Sequence, residues 1–235
     1  MKNYLAKVTN FWDEDRSLTA MLLLLLLFIF IFVPAFGHSR GDQILIKAIY
    51  SVILLTGILS VAKNKTQVTI VSVLALLGLL ANWFSDIEPS VPALIAHDFG
   101  AIIYILVFAI AILIKTFKKG DVTYHRIEGS VVVYLLMGLI FGFGFDAIYL
   151  YFGPSTFNNI HEAGLKDFLY FSFTSLSTMG YGDITPVHPF ARSIANLEAL
   201  IGQLYPAILI ARLVSMEFES SLRKKEKKEL TDSKR

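Results

Sequence analysis

The run Thr178-Met179-Gly180-Tyr181-Gly182-Asp183 is the stretch whose residue types and spacing can do chemistry. It is short, carries one charge and lies between two apolar segments. Its two glycines flank a single residue, and glycine takes up positive φ at little cost. A backbone that alternates between left-handed and ordinary conformations turns successive carbonyls to one side. Four such strands around one axis would stack rings of oxygens that replace the hydration shell of a bare cation. The Thr178 hydroxyl would add the innermost ring. At ~3 Å per residue the queue of sites is about 12 Å long. The chemistry is ion coordination rather than bond making, so no catalytic residue and no organic cofactor are expected.

Such a strand needs elements to hold it. The 235-residue chain is 55% hydrophobic with a mean hydropathy of +0.61, which points to a bundle of membrane helices. The net charge of +2 suggests no nucleic-acid partner, and the absence of cysteine excludes disulfides and thiolate metal sites. His38, His97, His125, His161 and His188 are scattered and predict no metal centre. If His161 and His188 face the outside near the strand, sensitivity to external pH follows.

Residues 1–17 are polar and form an N-terminal segment. Leu18 to Phe36 follows, with six consecutive leucines. It is too long and too acidic in its flank for a signal peptide, and reads as a first span. Further spans are expected at about 43–62, 67–84, 99–117, 130–152 and 189–215, in keeping with the ~20 apolar residues a span needs. The third ends at Trp83, an interfacial anchor. Residues 85–98 form an acidic loop and 153–165 a polar turret. The basic segments 63–65, 115–126 and 223–235 fall on one side if the N-terminus is cytoplasmic and the spans number six. Both termini are then cytoplasmic, the acidic loop and turret lie outside, and Arg40 is a minor exception.

The expectation is an all-α membrane protein of six transmembrane helices, a re-entrant pore helix and an extended selectivity filter. Its parts are a four-helix domain over 18–117, a cytoplasmic linker over 118–129, a pore domain over 130–215 and a charged tail over 216–235. Residues 166–177 would reach about 18 Å as a helix, too short to cross a bilayer. Irregular backbone at membrane depth is tolerated where it lines water or is buried in protein, which re-entrance satisfies. The C-terminus of that helix would aim its partial negative charge at a cation. Ser172, Thr174, Ser175 and Ser177 either tie the helix to the back of the filter or satisfy local backbone groups.

Thr178 to Asp183 closely resembles the potassium-channel signature, with Met179 where Val or Ile is usual. From Leu169 to about Val214 the chain looks like the pore helix, filter and inner helix of a bacterial potassium channel, without a gap. The resemblance implies a homotetramer in the bacterial inner membrane. It implies potassium ions at Thr178, Met179, Gly180 and Tyr181, with Gly182 completing the filter. Tyr170 and Phe171 stand where many relatives place bracing tryptophans, and Thr174 where some place an acid behind the filter. Asp183 would then bond Tyr170 instead. Gly202, nineteen residues after Asp183, aligns with the family's hinge glycine. Gln203 and Ile210 align with the cavity lining.

Pro206 frees the carbonyl four residues back, which belongs to Gly202, so two helix breakers act on one bond. A hinge is expected there, against the alternative of close helix packing at Gly202. Glu198 lies one turn before Gly202 on the same face. An ionisable residue inside a membrane is functional or paired. Glu198 either hydrogen-bonds the pore helix behind the filter or pairs with Arg192, and Asp146 is equally open. Gly138 and Gly142 form a Gly-x-x-x-Gly suited to helix packing.

Six spans resemble voltage-gated channels, but residues 99–114 hold no Lys or Arg, so the first four helices are expected to be a scaffold without a voltage sensor. Some twenty residues follow the inner helix, so no nucleotide-binding regulatory domain is expected. The basic tail over 222–230 either extends the helix, contacts anionic lipid or is solvated. The leading expectation is a passive, potassium-selective channel. A weakly selective cation channel and a non-conducting scaffold subunit are the alternatives.

Overall fold

The computed structural model describes residues 14–35, 40–60, 65–84, 90–117, 124–160 and 164–232. Most of the N-terminal segment 1–17 therefore lies outside the described residues. So do Lys63 and Asn64, the loop acids Asp86 and Glu88, the linker residues Lys118 to Gly120, and His38 and His161.

Seven long helices carry the chain. The leucine run lies in α1 (Glu14–Leu27), which continues through a π-helical turn, Phe28–Phe32, into helical Val33–Ala35. Pro34 gives a reason for the wide turn. Its ring would clash with a carbonyl one turn back, and the Val33 N–H reaches past it to the Phe28 carbonyl. Then come α2 (Arg40–Ser60), α3 (Lys65–Phe84) and α4 (Val91–Thr116). The last three are α5 (Tyr124–Phe152), α6 (Leu165–Leu176) and α7 (Pro189–Asp232). Among the described residues four helices are long and apolar enough to cross a membrane, over Leu18–Ala35, Val91–Ile114, Arg126–Phe152 and Pro189–Leu222. The apolar stretches of α2 and α3, Ile44–Gly57 and Val71–Leu80, are shorter.

Several bounds differ from the sequence reading. α4 starts at Val91, eight residues before the expected 99, because Pro92 sits in the first turn, where a missing N–H costs no helical bond. His97 and Asp98 are thus helical rather than part of the outer loop, and Asp98 is only 4% exposed. α5 begins inside the expected linker. α7 runs on to Asp232, so most of the charged tail is helix, as its Lys, Glu and Leu content favours. Pro206 stands within that helix. α5 ends at Gly153, whose φ of +88° takes the chain out of the helix, and Pro154 blocks its resumption.

α5 is the hub, packed against α1, α4, α6 and α7. One apolar core joins α1 to α5 through Met21, Leu25, Leu54, Phe108 and Leu136, among others, and takes in Leu169 of α6. A second is aromatic: Phe145, Phe157, Phe168 and Phe171 stack edge-on around the start of α6, with Ala191 of α7. Hydrocarbon is as apolar as leucine, so helices in a membrane associate by close contact rather than by hydrophobic exclusion. The glycine pair on α5 makes that contact: Gly138 faces the Phe173 ring and Gly142 faces Leu169, both on α6. A two-residue ladder pairs β1 (Phe157–Asn158) with β2 (Thr185–Pro186), joining the segment before α6 to the segment after the filter.

Candidate ion-coordinating site

The site grows from the end of α6. The N–H groups of Met179 and Gly180 both donate to the Thr174 carbonyl, at 2.9 and 3.1 Å, and the Thr178 N–H donates to Ser175 at 3.0 Å. Among the described residues no peptide bond is cis. In a trans peptide the carbonyl points opposite to the N–H of the same plane. The Thr178 and Met179 carbonyls therefore point away from α6. Positive φ recurs at every second residue: Thr178 at 60°, Gly180 at 56° and Gly182 at 76°. The sequence offered glycine at two of these positions. The third is a β-branched residue in a left-handed conformation, which costs of order 1–3 kcal/mol and persists only when its surroundings hold it. Residues 177–183 are exposed in the single chain, with Met179 at 56% and Tyr181 at 67%.

The Asp183 end of the strand is held by three groups. The Tyr170 hydroxyl donates to Asp183 Oδ2 at 2.7 Å, and the Tyr170 and Tyr181 rings are nearly parallel with centroids 6.5 Å apart. The Asn159 amide donates to the Asp183 carbonyl at 2.8 Å. Asn159 itself has φ +64°, a conformation asparagine tolerates better than most residues. The bond from Tyr170 holds the Asp183 carboxyl below the ordinary carboxylate range.

Phe171 and Thr174 serve differently from the expectation of filter support by side chain. Phe171 points back into the aromatic cluster, 4.9 Å from Phe145 between ring centroids. The Thr174 hydroxyl donates to the Phe171 carbonyl, and Ser177 likewise bonds Phe173, so both satisfy their own helix. The part of Thr174 that meets Met179 and Gly180 is its backbone carbonyl.

Glu198 is fully buried and its Oε1 lies 2.5 Å from the Ser172 hydroxyl, which also reaches the Gly138 carbonyl at 2.8 Å. Of the two partners open from the sequence, Glu198 meets α6 through Ser172; Arg192 is exposed. Gly202 sits against the end of α6, where an added Cβ would collide with the Leu176 carbonyl. That carbonyl accepts the Tyr134 hydroxyl at 3.1 Å, Tyr134 stacks on Tyr205, and the Tyr205 hydroxyl donates to Ser130 at 2.8 Å. Gln203 and Ile210, seven residues apart on one face of α7, are exposed in the single chain, and Pro206 is half-buried. Tyr134, Asn159 and Tyr205 escaped the sequence reading. Only Asn159 left a signal, as an Asn-Asn pair in the turret suited to a left-handed turn.

Asp146 is half-buried on α5, within electrostatic reach of Asp98 and His97 on α4. His97 Nδ1 lies 3.2 Å from Asp98 Oδ1. Among the described residues no group of three or more His, Cys, Asp or Glu is arranged to hold a metal ion.

Residues 132–219 match a family model described as "Ion channel". Protein LctB of Geobacillus stearothermophilus is 46% identical over 61 residues, 26% of this chain and 45% of that protein. The inward rectifier potassium channel Kirbac3.1 of Paramagnetospirillum magnetotacticum is 32% identical over 98 residues, 39% of this chain and 33% of that one. Two-pore potassium channel 5 of Arabidopsis thaliana is 35% identical over 75 residues, 29% and 18% of the respective chains. The chain thus spans less than half the length of these curated relatives. No solved structure gives a significant match. The helix-strand-helix unit around Thr178–Asp183 therefore lies in the segment that matches the ion-channel model, and over part of its length the chain is similar to potassium channels.

Proposed function

We propose that the chain is one subunit of a homotetrameric, potassium-selective channel of six spans, in which α6 is re-entrant and Thr178 to Gly182 form the filter. The observation that carries this reading is the alternation of positive φ at Thr178, Gly180 and Gly182, with the neighbouring N–H groups tied to Thr174. Amides held to the helix leave carbonyls free on the opposite side, the arrangement needed to replace a hydration shell. One strand cannot close a ring, so four chains must contribute. The uncovered face of α7 with Gln203 and Ile210, and the exposed filter, are the surfaces those copies would share. Gln203 and Ile210 then line the cavity below Thr178. Gly202, beside the proline-freed bond, is where α7 would bend if the channel gates at its inner end. Conduction is passive and needs no cofactor. Membrane lipid surrounds the tetramer, both termini are cytoplasmic, and a bacterial inner membrane is the setting.

The test is potassium flux from the purified protein in liposomes, beside the Gly180→Ala variant. Space is open around Gly180, yet φ +56° is strained for any side chain, so the variant is expected to lose flux with little change in fold. Equal flux from both proteins would remove the reading. Bi-ionic reversal potentials separate potassium selectivity from the weakly selective alternative that Met179 raises.

A further inference from the structure

We propose that Glu198 is a neutral, proton-bearing latch: a positioning residue that locks α7 to α6 and α5 behind the filter. The inference rests on the channel reading for its functional consequence, but the proton follows from a count of hydrogens. The Ser172 hydroxyl lies within hydrogen-bond distance of two oxygens, the Gly138 carbonyl at 2.8 Å and Glu198 Oε1 at 2.5 Å. A hydroxyl carries one hydrogen and a backbone carbonyl carries none. Each contact is a full two-centre hydrogen bond, rather than half of a bifurcated one, only when the carboxyl supplies the second hydrogen. Glu198 O–H then donates to Ser172 Oγ, and Ser172 O–H donates to the Gly138 carbonyl. One relay thus joins α7, α6 and α5.

The other carboxyl oxygen gives an independent reason. Glu198 Oε2 is buried without a hydrogen-bond partner. An ionised carboxylate left so costs far more than a neutral acid, because the charged form loses more hydration. Among the described residues no ion pair to Glu198 is formed: Arg192, on its own helix, is exposed, and Tyr134 on α5 is within electrostatic reach. The relay also sits where it matters. Ser172 is two residues before Thr174, whose carbonyl holds two filter amides. Gly202, one turn after Glu198 on the same face, meets the Leu176 carbonyl at the end of the same helix. Freeing Glu198 would let α6 shift against α7 and slacken the filter's anchor.

Two measurements test this. The first is infrared difference spectroscopy of the intact protein at neutral pH against Glu198→Gln. A carboxylic-acid C=O band present in the wild type and absent from the variant is expected; its absence overturns the proposal whether or not the protein conducts. The second is liposome potassium flux. Glu198→Gln offers an N–H where the acid offers O–H and is expected to conduct like the wild type. Glu198→Ala and Ser172→Ala are each expected to lose at least about tenfold in low potassium, a loss in keeping with breaking a buried hydrogen bond. High potassium should restore them, since bound ions favour the ordered filter by mass action. The double variant should be no worse than either single one, as for two residues acting through one contact. Glu198→Gln as impaired as Glu198→Ala, or Glu198→Ala as active as wild type, would overturn the latch. A silent wild type would instead count against the channel reading, with the infrared band still deciding the proton.

Discussion

The segment from α5 to α7 and the front helices, α1 to α4, hold together by different means. In the front helices large apolar side chains do most of the packing, and the polar contacts, such as Trp83 to Ser51 and Asn82 to the Lys47 carbonyl, join neighbouring helices rather than converge on one strand. Tyr104 donates to the Leu54 carbonyl at 2.7 Å, Thr56 bonds its own helix, and His97 meets Asp98. In α5 to α7 small and polar residues converge on one strand. Gly138, Gly142 and Gly202 let the helices approach closely, while Tyr134, Asn159, Tyr170, Ser172 and Glu198 each bond a carbonyl, a carboxylate or a hydroxyl at or behind residues 178–183. Filling space needs no particular direction, and many apolar residues do it equally well. A coordinating strand must be held in a strained conformation, and that takes directional bonds. The family resemblance falls on the second region alone, over residues 132–219.

Five substitutions and one measurement would break or sharpen this contrast. The largest effect is expected from Gly180→Ala, with flux lost. Next is Gly202→Ala, where the added methyl meets a backbone oxygen that cannot swing aside. A loss of about 1–3 kcal/mol is expected, read as a lowered thermal midpoint in detergent. Gly100 faces open space, so Gly100→Ala should leave the midpoint unchanged or slightly raised. If the two glycine variants behave alike, close packing at Gly202 is not what the position requires.

Tyr170→Phe should act through pH. The Asp183 carboxyl is depressed in the folded chain, chiefly by the Tyr170 bond. Its contribution is therefore present above the unfolded value and is lost as pH falls through the lower, folded one. The wild type should keep its flux while external pH falls through the ordinary carboxylate range near 3.8. Tyr170→Phe should fail at higher pH than the wild type. Superimposable acid profiles would deny the bond that role. In the front helices, Tyr104→Phe removes one buried bond and should cost about 1 kcal/mol of stability without changing ion selectivity. The smallest expected effect is that of voltage. Residues 99–114 carry no basic side chain, so open probability should barely change with potential. A steep curve with several gating charges per subunit would overturn the scaffold role.

Much of this was readable from residue types. The helix existences follow from apolar runs, because a membrane span demands some twenty such residues whatever surrounds it. The positive φ at Gly180 and Gly182 was legible too, since glycine takes up that conformation at little cost. Boundaries were less legible. His97 and Asp98 look like loop residues because they are polar, and the packing of α4 against α5 buries Asp98 and half-buries His97. Phe171 and Thr174 were expected to brace the filter by their position in the alignment. Helix rotation turns Phe171 to the aromatic cluster and leaves Thr174 its carbonyl.

By itself the sequence determined the chemistry on offer: two glycines permit carbonyls in a row, an apolar chain requires a membrane, and a fourth helix without arginine offers no charge to move. These follow from properties a residue carries anywhere. The tertiary structure alone decided which groups hold the strand. It put Thr174 behind two amides, Tyr170 on Asp183, Asn159 across the ladder and Glu198 on Ser172. It also put Thr178, a residue that resists positive φ, into that conformation. The reason is that a hydrogen bond depends on direction and on a distance within tenths of an ångström, and partners 13 to 26 residues apart meet at that distance only once the helices between them have packed.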